Sequence, residues 1–125
     1  MRYVLFLQVV YVMLAIGKIV AANGGTLAPI PPPTAGIAVL IVYVPCTVVG
    51  FLGRLRVHAV YAALLALITS VGGVWPHIRA LYSGDISEYA SPDDVIAAIA
   101  IDSFGTFVWL ISAWTAWTTG KAVED

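Results

Sequence analysis

The run AAIAIDSFGTFVW, residues 97–109, is built for an apolar environment, yet a carboxylate, Asp102, stands in its middle. Whether water or lipid surrounds this run decides the fold. The chain has 125 residues, of which 61% are hydrophobic and 10% charged. Soluble domains average about 45–50% apolar and about 25% charged residues, so a folded core alone cannot hide this much apolar surface. Lipid is then the expected solvent. The run belongs to a stretch at 94–118 that is long enough to cross a bilayer, which takes about 20 mostly apolar residues. Three more such stretches lie at 3–22, 35–53 and 57–76. The expectation is an all-α, polytopic membrane protein: one four-transmembrane-helix bundle over 1–125, with outer loops at 23–34 and 77–93.

Loop charges set the expected topology. Arg2, Arg54, Arg56 and Lys121 share one side, and Lys18 and Arg79 the other. The positive-inside rule places both termini in the cytoplasm, with the cytoplasmic (inner) membrane of a bacterium as the expected location. The first stretch, MRYVLFLQVVYVMLAIGKIVAA, resembles a signal peptide, but Lys18 interrupts it before Ala22, and it reads as a retained helix. A net charge of −1 gives no footprint for nucleic acid. Cys46 is the only cysteine, so no disulfide can form within the chain.

The outer loops differ in kind. NGGTLAPIPPPT, residues 23–34, reads as a stiff spacer ending in three prolines. The second loop holds an interfacial turn around 78–82. It then starts the last helix through Ser91, Pro92, Asp93 and Asp94, a cap followed by acids suited to the helix dipole. Tyr3, Trp75, Tyr82, Tyr89, Trp114 and Trp117 fall near expected membrane surfaces, whereas Trp109 lies deeper.

Spacings of three and four residues sort each span into faces. Gln8, Tyr11, Ala15 and Lys18 form one stripe on the first helix. Tyr43, Thr47 and Gly50 align on the second, where Pro45 is expected to kink the rod. Ala59, Ala62 or Ala63, Ala66, Ser70 and Gly73 follow on the third. Ala98, Asp102, Gly105 or Thr106, Trp109 and Ser112 share a face of the fourth. The expected polar interior is therefore Gln8, Tyr11, Tyr43, Thr47, Ser70 and Thr106.

A charged residue at a membrane helix centre costs about 2.5–3.5 kcal/mol on insertion scales, so Asp102 needs a companion. Lys18 is the expected one. Its Cα depth differs from that of Asp102 by about 6 Å, and side chains on antiparallel helices lean toward each other here. Two meanings fit such an intramembrane ion pair. It can fix the meeting of two helices, or it can be a titrating carboxylate in a polar cavity reached by Thr106, Tyr11 and His77.

His58, following Arg54 and Arg56, reads as an interfacial histidine. His77 and Arg79 are weak candidates for lipid or quinone contact. No metal-ligand spacing, Ser–His–Asp arrangement or phosphate-cradling glycine loop is present, so no catalytic residue, metal or resident cofactor is expected. AIGKI in the first helix and TSVGGVWPHIRALYSGD after the third, with Gly17, Lys18 and His77, resemble the small four-helix DoxX-like membrane proteins. Some of those are membrane subunits of oxidoreductase assemblies, including quinone-linked ones. The resemblance implies the fold and an accessory or anchoring subunit of a larger, redox-linked membrane complex, not itself catalytic. Its partners would be membrane lipids and other membrane subunits. The alternative is a small homo-oligomeric transporter or channel that uses Asp102.

Overall fold

A computed structural model describes residues 1–21, 41–87, 89 and 91–124, with side chains at 1–17, 41–87, 89 and 91–120. The Lys18 side chain, the 23–34 loop and the start of the expected second span lie outside the described residues. Helix α1 is Arg2–Ala21, α2 is Val44–Phe51 and α3 is Leu55–Ile68. A π-helical segment, Thr69–Val74, joins α3 to α4, Trp75–Ser83, and α5 runs over Pro92–Glu124. No strand occurs among the described residues.

α5 is the axis of the assembly. It packs along α3, the π segment, α4 and α1, while α2 closes on α1 and α3. Early α1 meets late α5 through Gln8 and Ser112. The start of α3 meets the end of α5 where Leu55 and Arg56 approach Gly120. Both pairs are therefore antiparallel. Small residues permit the close approach: Ala59, Ala62, Ala66, Ala98 and Ala116 are all buried.

Two helices are long and apolar enough to cross a membrane, Leu55–Ser83 and Pro92–Gly120. Only 33% and 39% of their most apolar windows are buried within the protein, so most of each window faces outward. Phe6, Met13, Leu64, Leu67, Val71, Phe107 and Leu110 point outward.

Local chemistry sets the helix ends. Gly53, at φ +75°, turns the chain from α2 into α3, a conformation that costs other residues a Cβ clash. Gly84, also at φ +75°, ends α4 and donates to the Ala80 carbonyl at 3.1 Å. At the start of α5 the Asp94 amide donates to Ser91 Oγ at 3.4 Å, and that hydroxyl donates to the Asp94 carboxylate at 3.1 Å.

Two sequence expectations change. The third helix does not stop at Pro76 but continues to Ser83, so the expected turn around 78–82 is helical. A proline inside an α-helix clashes with the carbonyl four residues back and lacks an N–H. Here the wider π turns immediately precede it, with the Trp75 amide reaching back to Ser70. At Pro45, where a kink is expected, the helical path breaks: Val42 is helical, Tyr43 forms a turn, and the proline sits in the first turn of α2. Ser70 is only half-buried and bonds its own helix at the Leu67 carbonyl, 3.0 Å away, whereas neighbouring Thr69 is buried.

Candidate functional site

Asp102 lies on the buried face of α5 and is only 6% exposed. Gly73, in the π segment, makes room for it: a Cβ there would stand 3.0 Å from Asp102 Oδ2. A π bulge takes in one extra residue and turns everything after it back by about 100° relative to an unbroken α-helix. That rotation puts His77 on the same side of its helix as His58 and Leu65, facing the interior. His77 is 2% exposed, and its Nε2 meets Asp102 Oδ2 at 3.1 Å. The other ring nitrogen, Nδ1, lies 2.6 Å from the hydroxyl of Tyr89, in the loop before α5.

These contacts define a chain of three groups, Tyr89–His77–Asp102, running from a half-buried loop residue into the bundle. With the carboxylate ionised, Nε2 carries the imidazole proton and donates it to Asp102. Nδ1 then receives the Tyr89 hydroxyl. A proton arriving at the tyrosine oxygen can pass inward in one concerted movement. Tyr89 releases its own proton to Nδ1, Nε2 releases its proton to Asp102, and the imidazole changes tautomer. One proton enters, and one resides on Asp102. The Thr106 hydroxyl donates to the Asp102 backbone carbonyl at 2.9 Å and supports the helix rather than the carboxylate.

A second polar cluster lies nearer the α2–α3 turn. His58, expected at the interface, is fully buried. Its Nδ1 donates to the Cys46 carbonyl at 2.7 Å, which leaves Nε2 to accept from Gln8 Nε2 at 2.9 Å. The same Gln8 amide donates to Ser112 Oγ at 2.8 Å, and Thr47 donates to Gln8 Oε1 at 2.9 Å. The Ser112 hydroxyl donates to the Val108 carbonyl at 2.6 Å. Every side-chain donor and acceptor in this ring of contacts has a use, so the cluster fixes α1, α2, α3 and α5 against one another. Gln8→Leu removes the hub and takes the partner from His58 Nε2 and from the Thr47 hydroxyl, at about 1–3 kcal/mol for each group left unpaired. Denaturant unfolding of the purified protein in micelles should show a lower midpoint for that variant.

Between the two clusters lies an aromatic layer. Tyr43 stacks on Trp109 with ring centroids 5.6 Å apart, and the edge of Tyr11 meets both rings. Trp109 is fully buried, and its indole N–H meets no acceptor among the described residues, so ring packing holds it. Tyr11 sits against Gly105, one turn from Asp102.

Of the residues singled out from sequence, Gln8, Tyr11, Thr47 and Asp102 are buried, while Tyr43, Ser70 and Thr106 are half-buried. The structure joins Gln8 to Thr47 and Tyr11 to Tyr43, and it joins Asp102 to His77. The expected Lys18–Asp102 pair depends on a side chain outside the described residues. Arg79 is exposed, and both nitrogens of His77 are engaged by Asp102 and Tyr89, so these two do not form one open anion site. Sequence reasoning placed Tyr89 at the membrane boundary and missed its bond to His77. The two are twelve residues apart across the end of a helix and a loop, a separation with no readable period.

The fold and site define a class: an all-helical protein with two helices of membrane-spanning length and a buried Tyr–His–Asp chain. Comparison with protein-family models, curated proteins and solved structures finds no match for this chain.

Proposed function

We propose that this protein is an integral-membrane four-helix bundle with both termini in the cytoplasm of a bacterium, and that it serves as a non-catalytic subunit of a larger, redox-linked membrane complex. Within that complex Tyr89, His77 and Asp102 carry protons between the outer surface and the bundle interior. The observation that carries this reading is the engagement of both His77 nitrogens, one by a buried carboxylate and the other by a tyrosine at the loop. A purely structural carboxylate needs donors; it does not need a titratable chain leading outward. Outward-facing apolar side chains along both long helices supply surface for lipid and for neighbouring subunits. The resemblance of Gly17, Lys18 and His77 to DoxX-like subunits points the same way.

Infrared spectroscopy of the protein in bilayers tests the relay. In acid, where the carboxylate is protonated, the Asp102 carboxyl band, identified by its loss in Asp102→Asn, should exchange with D2O quickly in the wild type. Tyr89→Phe keeps the ring and removes the proton carrier, and it should slow exchange by roughly a hundredfold, the low end of proton-transfer contributions. Unchanged exchange in both Tyr89→Phe and His77→Gln would remove the relay. Native electrophoresis of mild-detergent extracts should show the protein migrating with other polypeptides; migration as a lone monomer would remove the subunit role.

A further inference from the structure

The relay leaves one buried histidine unused. His58 precedes His77 on the same rod, roughly 28 Å away along it. It lies one turn into α3 from the exposed Arg54, at the α2–α3 end of the bundle. Its contacts fit a single protonation state. Nδ1 donates to the Cys46 carbonyl, so Nε2 is the bare nitrogen that accepts from the Gln8 amide. A proton taken up at Nε2 sets N–H against N–H across 2.9 Å. The histidine has no room to turn away, but its partner can turn instead.

Gln8 ends in an amide, donor on one side and acceptor on the other, and its last torsion is broad and roughly two-fold. A half-turn brings Oε1 to face His58 Nε2 and Ser112 Oγ, and brings the amide nitrogen against Thr47 Oγ1. Both hydroxyls can follow. Ser112 leaves the Val108 carbonyl, which keeps its helical backbone bond, and donates to Gln8 Oε1. Thr47 turns its proton to the Tyr43 carbonyl, four residues back and 3.4 Å from the Thr47 amide. Five hydrogen bonds serve these side chains in the observed state, and five serve them after the turn.

The groups around His58 leave this exchange to Gln8. α1 brings Gln8 and, across Gly50, Leu5, while α5 brings Ser112, and none of these titrates. From α2 the Cys46 thiol stands 3.6 Å from Nδ1. Arg54 and Arg56 flank the histidine on its own helix with exposed side chains. The carboxylates among the described side chains, Asp85, Asp93, Asp94 and Asp102, all lie toward the His77 end.

We propose that His58 and Gln8 form a proton-operated switch, in which protonation of His58 inverts the Gln8 amide and moves the Ser112 hydroxyl from its own helix to α1. The helices stay in contact, and a proton arriving from the α2–α3 side changes how α1 grips α5. The switch rests neither on the Tyr89–His77–Asp102 chain nor on a partner subunit.

Nuclear magnetic resonance of the isotope-labelled protein in micelles tests it, with His58→Asn marking the His58 signals by their loss. At neutral pH the imidazole should be the Nδ1–H tautomer, with a nitrogen–nitrogen coupling to Gln8 across the hydrogen bond. On acidification the imidazolium should form and that coupling should vanish. The Gln8 amide protons should then lie against the Thr47 side chain, with Gln8 and Ser112 still neighbours. An imidazole that stays neutral until the protein unfolds overturns the switch. So does an imidazolium formed with Gln8 unturned, or with the Gln8–Ser112 proximity lost, because the cluster would then open rather than invert. Gln8→Glu supplies the acceptor permanently. An opposite charge at hydrogen-bond distance should make His58 hold its proton on the order of tenfold or more tightly than in the wild type. Titration of His58 unchanged in Gln8→Glu overturns Nε2 as the seat of the proton; should that variant not fold, the wild-type titration alone decides.

Discussion

Gly105→Ala is expected to disrupt the bundle, although it adds a single methyl group. Gly105 is buried on α5 with the ring of Tyr11 directly against its Cα, and a Cβ would be 2.8 Å from the Tyr11 hydroxyl oxygen and closer still to the ring carbons. The ring has no free direction. Tyr43 and Trp109 meet its edges, and Tyr11 is 1% exposed. Overpacking usually costs about 1–3 kcal/mol, and a clash with a boxed-in aromatic ring belongs at the top of that range or above it. In micelles the variant should unfold at clearly lower denaturant concentration. Tyr11→Leu in the same chain removes the obstructing ring atoms and should recover part of the loss. A double-mutant cycle measures this directly: the pair must be less destabilised than the sum of the two single variants. Additive effects would mean that α1 and α5 do not meet at this point.

That contact also shows how far the sequence could be read. The small and polar positions of α5 repeat at helical spacing, and Ala98, Asp102, Gly105, Trp109 and Ser112 are all buried on one face. Periodicity exposes such a face because a straight helix keeps its register. The start of α5 was legible for a different reason: Ser91, Pro92, Asp93 and Asp94 satisfy the cap, first-turn and dipole preferences together.

Register was also what failed. The third helix contains a π segment, and a reading at constant pitch runs off the true face within it. Ser70 was therefore chosen where Thr69 is buried, and Pro76 was read as a terminus where the preceding π turns accept it. His58 was hidden by its neighbours. Arg54 and Arg56 suggest a surface, yet the imidazole is held inside by an amide fifty positions away and by the space that Gly50 leaves. A Cβ on Gly50 would lie 2.9 Å from His58 Nδ1. Pairings of that range depend on tertiary packing and leave no local pattern. The same holds for Tyr89.

His77→Leu should have an effect of comparable size for an electrostatic reason. The substitution keeps a side chain of similar bulk against the π segment but takes an imidazole from a carboxylate that is 6% exposed. Removing the donor of a buried hydrogen bond to an ionised group costs about 1.5–3 kcal/mol, part of it the penalty on the carboxylate. If that penalty is the cause, the stability lost in His77→Leu should return when the carboxylate is also removed. His77→Leu combined with Asp102→Leu replaces the pair by two apolar groups, an exchange that is often neutral in low dielectric. The double variant should unfold closer to the wild-type midpoint than His77→Leu does, and still have no relay. It therefore separates two roles that every single substitution confounds, holding helices together and moving a proton. A double variant as unstable as His77→Leu alone would place the importance of His77 in its packing rather than in its bond to Asp102. A double variant that is stable, yet leaves the complex proposed for this protein as active as the wild type does, would make the pair a relic of folding and take the proton pathway out of the protein.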